Sequence, residues 1–145
     1  MATRKATAQW SGGLKGGSGS MALGSGVWEG PFSFKSRFED DEPTATNPEE
    51  LIGAAHAGCY SMQLSAMLEL AGTPAELVRT NATVELRADD PGPRIASIHL
   101  STTGRVPGID AATFERTAQE AKQGCLVTRA LGAVPEITVE ATFEG

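Results

Sequence analysis

Residues 47–70 read NPEELIGAAHAGCYSMQLSAMLEL, and this stretch decides the fold. Asn47 is a favourable N-cap, Pro48 suits the first helical position, and carboxylates follow in the first turn. The pattern predicts a helix that ends near residue 70, before the Ala-Gly-Thr-Pro run of residues 71–74. Its side chains are apolar or small on every side, which indicates a long helix surrounded by protein.

Strands are predicted on both sides of this helix. Three short ones precede it, at residues 6–10, 18–23 and 31–35, and an acidic loop at residues 39–46 leads into it. After it we expect strands over 78–88 and 95–105, a helix over 110–123, a short helix over 125–131 and a closing strand over 135–143. This order predicts a single α+β domain over residues 1–145, with a largely antiparallel sheet and a long buried central helix. Homodimerisation would help to bury that helix.

Net charge and the distribution of apolar residues exclude several classes of function. The net charge of −6 argues against nucleic acid or an anionic membrane as the partner. No apolar run follows the N-terminal residues, so we expect no secretory signal and a cytoplasmic location. The longest uncharged stretch, residues 51–68, contains too many polar residues for a membrane span.

The two cysteines are the first candidates for chemistry. In a reducing compartment they are inert core residues, metal ligands or a redox pair. Cys59 lies in mid-helix among alanines, where a positive neighbour from elsewhere would be needed to ionise it. Cys125 follows Gly124 and opens a helix, where free N–H groups favour a thiolate.

Two histidines and two charged residues complete the candidate set. His56 precedes Cys59 by three residues, so it is either a general base or a hydrogen-bonded core side chain. A zinc site from both histidines, His56 and His99, and both cysteines lacks the short paired spacings of structural zinc sites. Arg37 is the candidate positive neighbour, or else a surface ion-pair partner. Glu49 complements the helix dipole.

Four segments together resemble a known family. They are SRFE at residues 36–39, NPEELIGAAHAGC at 47–59, VPGID at 106–110 and AKQGC at 121–125. They closely resemble the osmotically inducible OsmC branch of the OsmC/Ohr hydroperoxide reductases, over nearly the whole chain. The Ohr branch carries an Arg in an early Gly-Gly-Arg turn, whereas residues 12–15 here read GGLK. The family usually has Pro after the second cysteine, and this chain has Leu126.

The resemblance implies an OsmC-like fold, an intertwined homodimer and active sites at the subunit interface. It implies a thiol peroxidase that needs no cofactor or metal and reduces organic hydroperoxides, and hydrogen peroxide less well. Cys59 would attack the peroxide and then form a disulfide with Cys125. Arg37 would hold the thiolate and polarise the peroxide, and Glu49 would hold Arg37.

The same resemblance suggests a lipoylated protein as the dithiol reductant, with thioredoxin as the alternative. Neither nucleic acid nor a membrane is expected as a partner. An apolar pocket should receive the alkyl tail, and the available side chains are Phe32, Phe38, Tyr60, Met62 and Met67. A non-catalytic small-molecule or lipid-binding protein on the same scaffold is the alternative function.

One geometric conflict needs resolution. Glu49 and Cys59 are ten residues apart, which is about 15 Å along a continuous helix. One arginine cannot easily touch both residues. We therefore expect either a helix break near Gly53, or a site whose Arg37, Glu49 and Cys59 do not all come from one subunit.

Overall fold

The computed structural model describes residues 1–39 and 44–145 and separates the chain into two compact units, Met1–Leu51 and Ile52–Gly145. Residues 40–43 of the acidic loop predicted over residues 39–46 therefore fall outside the described part. In the described residues, no helix is long and apolar enough to cross a membrane.

The first unit is built on a three-stranded antiparallel sheet. Its strands are β1 (Ala6–Ser11), β2 (Ser18–Leu23) and β3 (Glu29–Phe32), in that order across the sheet. All three predicted strands are present. β1 is exposed along its whole length within the single chain. The rings of Trp10 and Phe32 lie with their centroids 5.3 Å apart, which ties the two outer strands together.

The predicted extension of the third strand to Lys35 is wrong, because residues Phe34–Phe38 form a short helix, α1. Ser33 starts it with a reciprocal capping box. The Ser36 N–H donates to Ser33 Oγ at 3.0 Å, and the Ser33 N–H donates to Ser36 Oγ at 3.0 Å. Satisfying two end groups in this way overrides the strand-like alternation of phenylalanines. Arg37 consequently lies on a helix.

The long helix α2 spans Pro48–Leu70 without interruption. Asn47 caps it, since its Oδ1 accepts the Glu50 N–H at 2.8 Å. Gly72 ends it in a left-handed conformation with φ of 82°, which glycine adopts without a steric penalty. Both predicted ends are confirmed. The helix break near Gly53, one of the two arrangements expected to let Arg37 reach both Glu49 and Cys59, is absent.

The two faces of α2 differ in burial within one chain. The buried face carries residues spaced three or four apart, namely Gly53, His56, Tyr60, Leu64 and Leu68. The exposed face is also apolar or small, with Ala54, Ala55, Gly58, Met62 and Ala66. Met62 is 76% exposed. A single chain therefore covers only part of the surface that the sequence pattern marks for burial.

The second unit contains a three-stranded sheet and two further helices. Its elements after α2 are β4 (Leu77–Asp89), β5 (Gly92–Arg105), α3 (Ala111–Gly124), α4 (Leu126–Ala130) and β6 (Glu136–Phe143). The β4–β5 pair is antiparallel, and β6 joins the other edge of β5 in parallel. The α+β class with largely antiparallel pairing is confirmed.

The core of this unit lies between α2, α3 and one face of β5. Phe114 and Ala118 of α3 and Leu100 of β5 are buried in it. The Tyr60 hydroxyl donates to the Ala118 carbonyl at 2.6 Å, which fixes α2 to α3. Burial raises the pKa of Tyr60, so this hydroxyl keeps its proton. Cys125 belongs to the same core cluster.

Candidate active site

The structure brings Cys59 and Cys125 together although 66 residues separate them in sequence. Their sulfur atoms lie 3.3 Å apart, and both cysteines are free thiols. A disulfide bond is about 2.05 Å long, so the sulfurs need to approach by only about 1 Å to bond. Cys59 is half-buried on α2, whereas Cys125 is completely buried between α3 and α4.

Cys125 is positioned by the junction of two helices. Its backbone leaves α3 in an extended conformation, with φ of −68° and ψ of 121°. Its side chain then caps α4, because Sγ accepts the Thr128 N–H at 3.5 Å. The predicted short helix after Gly124 is confirmed.

Burial and hydrogen bonding act on the Cys125 thiol in opposite directions. Burial raises its pKa, because a thiolate loses hydration there. Hydrogen bonds that involve the Thr128 hydroxyl and amide, the Cys59 side chain and the Val127 amide lower it. The net result is a Cys125 pKa below the ordinary value, and the site therefore favours a thiolate at this position.

The two histidines occupy separate places in the second unit. His56 is completely buried, and its Nε2 lies 2.6 Å from Thr128 Oγ1. His99 lies on β5, with Nδ1 2.7 Å from Thr138 Oγ1. Across residues 1–39 and 44–145, no group of three or more His, Cys, Asp or Glu side chains could hold a metal ion.

Arg37 and Glu49 form an ion pair within the first unit. Arg37 Nη2 lies 2.7 Å from Glu49 Oε1, and Arg37 Nε lies 3.1 Å from both carboxylate oxygens. Such a bidentate pair fixes the orientation of the guanidinium plane. The Glu49 side chain is 9% exposed and that of Arg37 is 40% exposed. Glu49 thus anchors an arginine that keeps an accessible edge.

Polar contacts hold α1 against the start of α2, and these contacts place the pair. Ser36 Oγ donates to the Thr46 carbonyl at 2.8 Å. The Asn47 side-chain amide donates to the Ser36 carbonyl at 3.1 Å. Arg37 follows Ser36 directly and Glu49 lies two residues after Asn47, so these contacts help to set the spacing of the pair.

An apolar cavity of about 250 Å³ opens beside Arg37 in the first unit. Its lining residues are Trp10, Leu14, Phe32, Ser33, Phe34, Arg37 and Phe38. Phe32 and Phe38 were among the side chains proposed for an apolar pocket, whereas Tyr60 is a core residue and Met62 is exposed. Sequence reasoning missed Trp10 and Leu14, which lie on an earlier segment, and Phe34, which lies on α1 with Phe38.

The sequence model of the family described as OsmC-like protein matches residues 39–140. The chain belongs to the OsmC family. It is 46% identical over 138 residues to peroxiredoxin OsmC of Escherichia coli strain K12, with 94% of each chain covered.

Solved structures agree with the OsmC fold at low sequence identity. The OsmC-like protein from Mycoplasma pneumoniae matches with a TM-score of 0.74 and 14% identity, covering 98% of this chain and 97% of that one. The organic hydroperoxide resistance protein OhrB of Bacillus subtilis matches with a TM-score of 0.69 and 20% identity, covering 99% and 98%. These likenesses support the fold of the whole chain.

This OsmC family member has Leu126 where the sequence resemblance led us to expect proline. We expect Leu126→Pro to raise the free energy of unfolding by about 0.4–1 kcal/mol, because proline restricts the unfolded chain. Leu126 is the first residue of α4 and is exposed, and Cys125 already has the extended backbone that proline requires before it. Urea denaturation measures the change. Val127→Pro is the control and should destabilise the protein, since it removes an N–H that hydrogen-bonds to Cys125. A lower free energy of unfolding for Leu126→Pro would contradict the expectation.

Proposed function

We propose that this chain reduces organic hydroperoxides, with Cys59 as the attacking thiolate and Cys125 as the resolving cysteine. Membership of the OsmC family and the relationship to a peroxiredoxin identify the chain as a peroxidase. The observation that carries the proposed mechanism is the 3.3 Å separation of the two sulfur atoms. Two free thiols at that distance are ready to exchange between dithiol and disulfide.

Their exposure supports the assignment of the two roles. Cys59 is half-buried, so a peroxide can approach its sulfur. Cys125 has no exposed surface within the chain, and its sulfur contacts that of Cys59. Solvent access is one of the requirements for a cysteine that is oxidised first.

The proposed chemistry has two oxidative steps. The Cys59 thiolate attacks one peroxide oxygen and the O–O bond breaks; the alkoxide takes up a proton and leaves as an alcohol, and Cys59 becomes a sulfenic acid. The Cys125 thiolate then attacks the Cys59 sulfur, the S–O bond breaks, and hydroxide leaves with a proton as water. An external dithiol restores both thiols by two exchanges. We propose a lipoylated protein as that dithiol, with thioredoxin as the alternative.

Arg37 and Glu49 are proposed to prepare the peroxide and the Cys59 thiolate. Glu49 occupies Nε and Nη2 of the guanidinium, and the Arg37 side chain stays 40% exposed. A fixed positive charge favours a thiolate and stabilises charge that develops on a leaving oxygen. The aromatic cavity beside Arg37 offers an alkyl tail an apolar environment, which favours organic hydroperoxides over hydrogen peroxide.

A homodimer is proposed to bring these parts together. Because α2 is uninterrupted, Glu49 and Cys59 stay far apart along one helix. The remaining explanation is a site that combines residues of two subunits. The exposed apolar face of α2, which includes Met62, supplies a surface of the kind that subunit interfaces bury.

Turnover of hydroperoxides tests the proposal. We expect the purified protein to oxidise NADH through a lipoamide reducing system when tert-butyl or cumene hydroperoxide is added, with slower turnover of hydrogen peroxide. The reducing system without the protein is the control. Absence of turnover with lipoamide, thioredoxin and dithiothreitol, together with unmodified Cys59 after peroxide treatment, would favour the binding-protein alternative, in which the aromatic cavity only holds an apolar ligand.

A further inference from the structure

His56 is a buried titratable residue to which the proposed mechanism assigns no role. It is completely buried one turn before Cys59 on α2, and burial lowers its pKa, so the imidazole is neutral. Within the described residues, its Nδ1 is buried and has no hydrogen-bond partner. An orphaned buried N–H is rarer in proteins than an orphaned acceptor, so the proton belongs on Nε2. His56 therefore donates to Thr128 Oγ1, 2.6 Å away.

Thr128 connects this histidine to Cys125. The Thr128 N–H donates to Cys125 Sγ at 3.5 Å. Because His56 supplies a proton to one lone pair of Thr128 Oγ1, the hydroxyl hydrogen is free to point at the same sulfur. The Thr128 hydroxyl and amide are both among the groups that lower the pKa of Cys125 against the effect of burial. Thr128 thus brings two donor groups to Cys125, and its amide makes the 3.5 Å contact with the sulfur.

We propose that His56 and Thr128 are positioning residues for the second cysteine, with His56 orienting the Thr128 hydroxyl so that it stabilises a Cys125 thiolate facing Cys59. This inference rests on the proposed function, since it concerns the step that closes the disulfide. In that step the Cys125 thiolate supplies the electron pair for the S–S bond, and the Cys59 S–O bond breaks. Hydroxide leaves and takes up a proton to become water.

The same contacts also assist reduction of the Cys59–Cys125 disulfide. When an external thiolate attacks the Cys59 sulfur of the disulfide, Cys125 is the leaving group, and a stabilised thiolate leaves faster. Removing the donors should therefore slow both closure of the disulfide and its reduction. The attack of Cys59 on peroxide precedes both steps, and Cys125 forms or breaks no bond in it.

Other titratable groups around Cys125 are few in the described structure. Cys59 and Tyr60 face it from α2, and Glu115 of α3 acts on Tyr60. Tyr60 stays protonated, because burial first, and then the charges of Glu115 and Cys125, raise its pKa. With Cys59 replaced by serine, the thiol titration therefore reports on Cys125.

The test uses two matched pairs of variants. Thr128→Val removes the hydroxyl with little change of shape, and Thr128→Ser keeps it. His56→Leu removes the donor, and His56→Gln retains an amide N–H in the position of Nε2. In the Cys59→Ser background, ultraviolet absorbance of the thiolate is followed against pH. We expect the titration midpoint of Cys125 to move to higher pH in Thr128→Val and His56→Leu, and to return towards that of the unsubstituted protein in Thr128→Ser and His56→Gln.

With Cys59 present, one equivalent of cumene hydroperoxide is added and two events are timed, dimedone-reactive sulfenic acid and disulfide closure. We expect closure to slow about tenfold in Thr128→Val, the order of effect of one hydrogen bond to a charged group. Sulfenic acid should persist for correspondingly longer. Circular dichroism identifies any variant that does not fold, and the Thr128 pair carries the test if His56→Leu fails.

A folded Thr128→Val variant with an unchanged Cys125 titration and unchanged closure would overturn the inference. So would a Thr128→Ser variant as impaired as Thr128→Val, because only the hydroxyl is assigned the effect. Failure of the proposed function is recognised separately, by the absence of sulfenic acid on Cys59 in the unsubstituted protein. The thiolate titration in the Cys59→Ser background still decides whether His56 and Thr128 act on Cys125.

Discussion

Cys59→Ser is expected to abolish hydroperoxide turnover, with a loss of roughly a thousandfold or more, as for other essential nucleophiles. A serine hydroxyl neither ionises near neutral pH nor forms the sulfenic acid that begins the proposed cycle. The measurement is steady-state NADH oxidation with tert-butyl hydroperoxide and the lipoamide system. The fold should survive, because the substitution is nearly isosteric and Cys59 is only half-buried.

Cys125→Ser is the matched control for this result. It should permit the first oxidation and stop there, so that dimedone labels Cys59 and no intramolecular disulfide forms. The 3.3 Å contact makes Cys125 the nearest thiol to a Cys59 sulfenic acid within the chain. Retention of turnover by Cys59→Ser would refute the assignment of the attacking residue. Unimpaired turnover by Cys125→Ser would mean that the external dithiol resolves the sulfenic acid directly.

Arg37→Met is expected to lower the rate of Cys59 oxidation about a hundredfold, the effect of removing one charge-stabilising donor from a catalytic site. The decisive form of this experiment is a mixed dimer of one Arg37→Met subunit and one Cys59→Ser subunit. Each parent alone should be almost inactive. If Arg37 serves the Cys59 of the other subunit, the mixed dimer has one site with both intact residues and recovers about half of the unsubstituted activity.

The mixed dimer is prepared by co-expression with two affinity tags and sequential purification. Activity of the mixed dimer no higher than that of two nearly inactive parents would show that Arg37 and Cys59 of the same subunit act together. Unchanged activity of the Arg37→Met parent would show that Arg37 has no part in the reaction. Arg94→Met is the matched control. Arg94 forms an exposed ion pair with Asp89 at 3.0 Å, so its loss should leave turnover unchanged.

The parts of the fold that depend on local signals were predictable from sequence. The cap at Asn47 and the left-handed glycine at Gly72 define both ends of α2, and each signal acts within one helical turn. The alternation of residues in β4 likewise gave its exposed face. By contrast, α1 was missed because its capping box uses Ser36 in place of the more familiar Glu or Gln.

Contacts between distant segments were not predictable from local patterns. The pairing of β6 with β5 in parallel joins residues about 40 positions apart, and nothing within either strand specifies the partner. The contact of His56 with Thr128 spans 72 positions. The cysteine pair and the Arg37–Glu49 pair were anticipated through the family resemblance, which carries such long-range information. The roles of those four residues, and the expectation of a single domain, stay predictions.

The exposure of β1 along its whole length has a consequence for folding. A three-stranded sheet gains little stability in water unless one of its faces is covered. In the proposed homodimer, association covers a face of this sheet. The fraction of molecules in which the sheet is ordered then depends on protein concentration. Dilution below the dissociation constant would loosen the N-terminal strands before the Ile52–Gly145 core. The thermal midpoint of this protein would accordingly rise with its concentration.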